Sequence, residues 1–245
     1  MKAMILAAGI GSRLRPLTER CPKALVEING VSMLEIVIRR LLKAGVDEIV
    51  VNVFHLAEMI VDFVKSKRHF GIRIEVSREV ELLDTGGGLK KVASFFDDGA
   101  PFFLHNVDVV TDIDLGRMYR FHLDRPALAT LAVQTRTSSR YLLFDERGQL
   151  CGWESVAENE RQWAGASVER AERLAFTGVH VISPAILPRM SEGAVFPIIR
   201  TYLCLAGQGE RIQAFRADEW YWADIGGPTK LEEVQRQVKA LGSLT

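Results

Sequence analysis

Cysteine is scarce in this chain: three residues among 245, Cys21, Cys151 and Cys204, odd in number and never in a C-x-x-C pair. That argues against a disulfide framework and suits reduced thiols in a cytoplasmic protein. Histidine is equally thin. His55, His69, His105, His122 and His180 show no H-x-x-x-H or Cys/His spacing, which argues against a zinc site. An excess of one charge is also missing: 31 acidic and 31 basic residues cancel, so no global field favours nucleic acid or an anionic membrane. Phosphate binding, if present, must come from a local site. No apolar run is long enough to span a bilayer, and the N-terminal one, Ala3 to Ala8, meets Gly9 too early for a signal-peptide core. The expectation is a cytoplasmic protein with neither nucleic acid nor membrane as partner.

What is present is enough apolar sequence, 48% of the chain, to bury a full core. Ala3-Met4-Ile5-Leu6-Ala7-Ala8 reads as a strand buried on both faces. Ser32-x-x-Glu35 resembles a capping box, followed by apolar Leu34, Val37, Ile38, Leu41 and Leu42, with Gly45 placed to stop the helix. Strands over 48–53, 72–76 and 101–105 alternate with helices over 56–65 and 89–96, the order of an open α/β sheet. Past residue 127 the pattern turns to short, partly antiparallel strands (127–133, 141–144, 173–182), then a helix over 194–206 and extended segments over 211–217 and 220–225. The polar stretch 155–173 reads as a mobile loop. A last helix starts at Pro228, with Leu231, Val234, Val238 and Leu241 as its apolar stripe. With no repeat and no linker, the expectation is one domain over 1–245, its nucleotide-binding half at 1–126 and its substrate half at 127–245.

Leu6-Ala7-Ala8-Gly9-Ile10-Gly11-Ser12-Arg13-Leu14-Arg15-Pro16-Leu17-Thr18 is the most informative stretch. Glycines after a buried strand let backbone N–H groups approach an anion, and arginine brings forked donors for phosphate oxygens. The combination points to a triphosphate. It is neither the dinucleotide fingerprint, because Leu14 stands where a third glycine belongs, nor a P-loop.

This run, with Pro22-Lys23-Ala24-Leu25-Val26 behind it, resembles the signature of the sugar-1-phosphate nucleotidylyltransferases, except that Ala24 replaces a proline. Leu83-Asp84-Thr85-Gly86-Gly87-Gly88 resembles the family's E-T-G-G loop over base and sugar. Asn106-Val107-Asp108 resembles its N-G-D, Phe176-Thr177-Gly178-Val179 its sugar-pocket strand, and Trp222-Ala223-Asp224-Ile225-Gly226-Gly227-Pro228 its W-x-D-x-G-T-P. The resemblance is nearest to the compact bacterial N-acetylmuramate-1-phosphate uridylyltransferases, with mannose-1-phosphate guanylyltransferases close behind. It implies a Rossmann-like fold, a mixed, mainly parallel central sheet flanked by helices. Two departures stand out. Val107 replaces a glycine, and no Glu-Lys dipeptide of the kind that grips the sugar phosphate lies between Asp108 and Phe176.

By that resemblance Arg13 and Lys23 are catalytic, and Ala8, Gly9, Gly11, Gly86, Gly87 and Asn106 join them around the nucleotide. Thr85, Thr177 and Gly178 then face the sugar, while Asp108 and Asp224 hold Mg²⁺, their carboxylates repelling one another until the metal arrives. Implied partners are an NTP and a sugar 1-phosphate, with the protein a monomer or homodimer. Base and sugar stay open, because their edges are read by backbone groups and pocket shape. Two other functions fit less of the pattern: CTP-dependent transfer to an alcohol phosphate such as phosphocholine, motivated by Pro22-Lys23-Ala24-Leu25, and a catalytically silent nucleotide-sugar sensor, motivated by Val107 and the missing Glu-Lys.

Overall fold

The computed structural model describes residues 1–241, and side chains up to 238. They form two compact units. The first comprises Met1–Leu82, Leu104–Ile113 and the described residues from Trp220 on; the second comprises Leu83–Phe103 and Asp114–Glu219. The division does not fall at residue 126, as expected from the change in strand pattern, because the chain returns to the first unit at its end: the strand Trp222–Asp224 pairs antiparallel with Val109–Thr111.

In the first unit the strand Lys2–Leu6 lies parallel to Glu48–Val53, which lies parallel to Arg73–Arg78. Ala3, Met4 and Ile5 have no exposed surface, as a continuous apolar run requires. The strand Phe102–Asn106, whose last three residues belong to this unit, neighbours Lys2–Leu6 on the other side. The order of connection therefore reverses between these two strands, which makes their carboxyl ends the switch point where open α/β sheets bind ligands. Helix Met33–Lys43 starts as expected, with the Ser32 hydroxyl accepting from the Glu35 amide at 3.3 Å, and it ends before Gly45. Its capping box is incomplete: the Glu35 carboxylate bonds Arg39 and Lys67 instead of reaching back.

A second core lies under the glycine loop. Leu14, Val26, Ile28, Met33, Ile36, Val110, Ile225 and Val234 are buried together, with Leu231 and Val238 packed against them. The terminal helix Pro228–Leu241 thus docks by the stripe its sequence shows; the side chain of Leu241, the fourth stripe position, lies outside the described residues. At roughly 1.5–3 kcal/mol per fully buried aliphatic side chain, this cluster ties four separate chain segments into one support.

In the second unit the long strand Glu172–Ile182 pairs antiparallel with Ala129–Gln134 and with Arg140–Phe144, and Ile212–Arg216 joins Ala129–Gln134 in parallel. Two expectations change here. The stretch 155–173 is not one loop: Glu160–Trp163 forms a strand on Leu150–Ser155, and the Glu154 carboxylate holds Arg161 and Arg173. Cross-strand pairing of charged residues carries no periodic signal, so the sequence hides it. The helix expected over 89–96 is Asp84–Lys91 instead, followed by a short 3₁₀ turn at Ala93–Phe95.

Candidate active site

The loop after Lys2–Leu6 is held at both ends. The Ala7 amide donates to Asn52 Oδ1 at 2.8 Å, and Asn52 in turn donates to Glu79 at 2.7 Å, deep in the sheet. Across the switch point the Val107 amide donates to the Leu6 carbonyl at 3.1 Å. Val107 is buried, so its side chain is accommodated inward where the resembling family has glycine. Gly9 is exposed, with open space around its Cα, as a backbone that receives an anion needs. Gly11 sits at φ +69°, and a Cβ there would lie 3.0 Å from Thr18 Cγ2 and 3.1 Å from Lys23 Cβ. Left-handed backbone and close packing both demand glycine at that point. The Gly11 carbonyl accepts from the Leu14 amide at 2.9 Å and from the Thr18 hydroxyl at 2.8 Å, which shapes the turn Ser12–Leu14 that presents Arg13 to solvent.

Four predicted residues converge in this unit. Lys23 Nζ makes an ion pair with Asp108 Oδ2, the lysine side chain only 12% exposed. The Asp108 carbonyl accepts from the Ile225 amide at 3.0 Å, and Asp224 pairs with Val109, so Asp108, in the turn before Val109–Thr111, lies beside the end of the strand that carries Asp224. Arg13 and Asp224 border the same glycine: a Cβ on Gly226 would lie 3.1 Å from Arg13 Nη1 and 3.2 Å from Asp224 Oδ2. Asn106 ends its strand half-exposed, next to Val107, whose amide bonds Leu6, and Ala8 is buried.

The expected repulsion between the two aspartates is absent, because each carboxylate has its own lysine: Lys23 on Asp108 and Lys230 on Asp224. Lys230 went unnoticed in the sequence, although it carries a signal. It stands in the first turn of helix Pro228–Leu241, where the helix dipole disfavours a cation unless a carboxylate offsets it. Asn52 was likewise missed, though a lone amide in the apolar strand Glu48–Val53 is a mark of buried polar duty. No cluster of three or more His, Cys, Asp or Glu ligands occurs among the described residues. Two carboxylates beside a glycine loop are nevertheless a donor set of the kind Mg²⁺ takes, since it fills its other positions with water and phosphate oxygens.

The remaining predicted residues belong to the second unit. Thr85, Gly86 and Gly87 are not a loop but lie in helix Asp84–Lys91. Both glycine amides donate to the Phe196 carbonyl, at 2.9 and 3.2 Å, and a Cβ on either would overlap Phe196 or the Ala194 carbonyl. Here the glycines serve close packing. The Thr85 hydroxyl accepts from the Ile198 amide at 2.9 Å, at the start of helix Ile198–Gly207. Thr177 is buried, its hydroxyl donating to the Ala132 carbonyl at 2.8 Å, and Gly178 is buried beside it. Strand alternation instead turns the preceding residue, Phe176, into a pocket.

Fold and site together define an α/β protein with a glycine loop, two cationic side chains and two carboxylates at a sheet switch point. The nucleotidyl transferase family model matches residues 2–146, and the chain belongs to that family. It is 30% identical over 244 residues to a UTP–glucose-1-phosphate uridylyltransferase of Synechocystis, covering 92% of this chain and 60% of that protein. It is 31% identical over 241 residues to the mannose-1-phosphate guanylyltransferase catalytic subunit beta of Xenopus tropicalis, covering 93% and 62%. The chain thus spans about three-fifths of the length of these curated relatives. Its fold matches that of HddC from Yersinia pseudotuberculosis, solved with GMP-PN, with a TM-score of 0.75, 20% identity and coverage of 96% and 98%. The fold is the Rossmann-like, mixed and mainly parallel sheet with flanking helices. No described helix is long and apolar enough to cross a membrane.

Proposed function

We propose that the chain transfers a nucleotidyl group from an NTP to a sugar 1-phosphate, giving an NDP-sugar and pyrophosphate. The observation that carries this reading is the convergence of Arg13, Lys23, Asp108 and Asp224 on one buried core at the switch point of the first unit. A phosphate oxygen of the acceptor forms a bond to the α-phosphorus while the bond to the bridging oxygen breaks, and pyrophosphate leaves with that electron pair. No side-chain nucleophile is needed, so the protein's task is alignment and charge neutralisation. The amides around Gly9 and Gly11 receive phosphate oxygens, and Arg13 adds a forked donor for the leaving pyrophosphate. Lys23, whose Cβ lies close beside Gly11, offers its ammonium between the α-phosphate and the attacking phosphate. Asp108 and Asp224 would hold Mg²⁺, which supplies charge neutralisation of the triphosphate when bound. The two lysines then exchange carboxylate partners for phosphate.

The test is pyrophosphate release from a panel of NTPs against sugar 1-phosphates, with CTP and phosphocholine included. Release should require both substrates. Equal release with NTP alone would make the chain a hydrolase, and turnover with phosphocholine only would replace the sugar by an alcohol phosphate.

A further inference from the structure

Each carboxylate of the site carries a lysine, but the two pairs are built differently. Lys23 comes from a distant segment and is nearly enclosed, its side chain 12% exposed. Lys230 stands six residues after Asp224, and its side chain is 55% exposed. The backbone between Asp224 and Lys230 is held from below. Ile225 has no exposed surface and shares a buried cluster with Val234, and Leu231 packs against that cluster. The Leu231 amide donates to the Gly227 carbonyl at 3.0 Å, and the Ile225 amide to the Asp108 carbonyl at the same distance. Packing thus fixes where Lys230 starts, and only its side chain is free to turn. In this structure its Nζ meets Asp224 Oδ1, while Asp224 Oδ2 faces Gly226, on whose other side Arg13 Nη1 lies.

Helix Pro228–Leu241 has no acidic residue in its first turn, and its dipole works against a cation there. Lys230 therefore depends on an anion beside it, and in the free protein Asp224 is that anion. Arg13, Lys23 and Lys230 together stand against Asp108 and Asp224. A divalent cation approaching this set meets carboxylates that are already neutralised, with a positive charge left over. A triphosphate reverses the balance and offers Lys230 a second anion. An exposed ion pair contributes little stability, so releasing Asp224 costs little, whereas opening the enclosed Lys23 pair costs more. Lys230 is the partner that can change.

We infer that Lys230 is a built-in counter-ion for Asp224, a positioning residue that keeps this carboxylate occupied until a triphosphate draws the ammonium away and frees it for Mg²⁺. Metal alone then binds weakly, and metal with nucleotide binds tightly. The inference rests on Asp224 being a metal ligand, as in the nucleotidyl-transfer reading.

The test uses Mn²⁺, which takes the same carboxylate and water oxygens and is counted as free ion by electron paramagnetic resonance. It is titrated into the full chain without nucleotide, wild type and Lys230→Met. Removing one cation in contact with an exposed carboxylate predicts Mn²⁺ affinity higher by roughly threefold to tenfold. Calorimetric affinity for inorganic triphosphate in metal-free buffer should fall in the same variant, because a phosphate partner is lost. Lys230→Arg keeps the charge and should keep Mn²⁺ affinity near that of the wild type. In an Asp224→Asn background, Lys230→Met should no longer raise it. Lys230 is exposed, so these variants keep their fold, and a loosened fold would weaken both ligands rather than move them in opposite directions. Unchanged or lower Mn²⁺ affinity in Lys230→Met, an equal rise in Lys230→Arg, or a rise that persists without the Asp224 carboxylate overturns the inference. Unchanged triphosphate affinity, or no Mn²⁺ binding to either form, overturns it as well. Pyrophosphate release judges the transfer reading separately: release without these affinity changes leaves transfer standing and removes this role, and the affinity changes without release do the converse.

Discussion

Acidification should destabilise the protein well before its carboxylates are neutralised, because of two buried histidines. His105 has no exposed surface, and its Nδ1 lies 2.7 Å from the Asn106 carbonyl oxygen. A carbonyl only accepts, so Nδ1 carries the hydrogen and Nε2, which has no partner among the described residues, keeps a bare lone pair. Burial, with the nearby Arg40 charge adding to it and the Asn106 bond opposing it, holds the His105 pKa down to about 4. Burial alone does the same for His122, also to about 4. Unfolded, both titrate near 6.5. The folded value lies below the unfolded one, so each contribution is complete above about pH 6.5 and is lost as pH falls towards about 4. At about 1.4 kcal/mol per unit, each histidine accounts for at most roughly 3 kcal/mol, and near pH 5.5 for a slope of about 1.2 kcal/mol per pH unit. Urea unfolding followed between about pH 7 and 5 reads this slope. His105→Asn, whose amide can still donate to the Asn106 carbonyl, should lose about half of it. Should that variant not fold, His122→Gln offers the same comparison. A wild-type stability that is flat across this window, or a slope unaltered in both variants, would refute the reasoning.

Lys23→Ala should lower pyrophosphate release at least about a hundredfold, the scale of losing one charge donor in a transition state; a folded variant with near-normal turnover would remove its assigned role. Asp108→Asn and Asp224→Asn should each abolish most Mg²⁺-dependent release. Their double variant should lose little more, as for groups acting as one unit; additive losses would show that they share no metal. These substitutions should not stabilise the fold, because each carboxylate is paired with a lysine, and thermal unfolding checks that. Gly87→Ala, whose methyl would overlap the Ala194 carbonyl, should cost roughly 1–3 kcal/mol or more, read by urea unfolding. The same change at Gly9, with open space around it, should cost under about 1 kcal/mol.

The strands and helices of the first unit were legible because their hydrophobic periods are unambiguous: Glu48–Val53 falls where its apolar run predicts, and the last helix buries Leu231, Val234 and Val238 as its stripe requires. The strand Glu160–Trp163 was not legible, since its side chains are polar and its pairing is satisfied by the neighbouring strand rather than by a core. Nor was the helical state of Gly86–Gly88. Glycine disfavours helix locally, and only the close approach of Ala194 and Phe196 makes its lack of a side chain the deciding property.

For the candidate site, the sequence by itself determined the residue types: a glycine turn behind a buried strand, Arg13, Lys23 and two aspartates, all of them local patterns set by backbone chemistry and charge. Tertiary structure decided how they are used. It joined Asp108 to Asp224 through a strand pair more than a hundred residues apart in sequence, neutralised each with a lysine, and turned Thr177 inward and Phe176 outward. Such outcomes depend on which distant surfaces meet, and no short-range pattern in the chain encodes that.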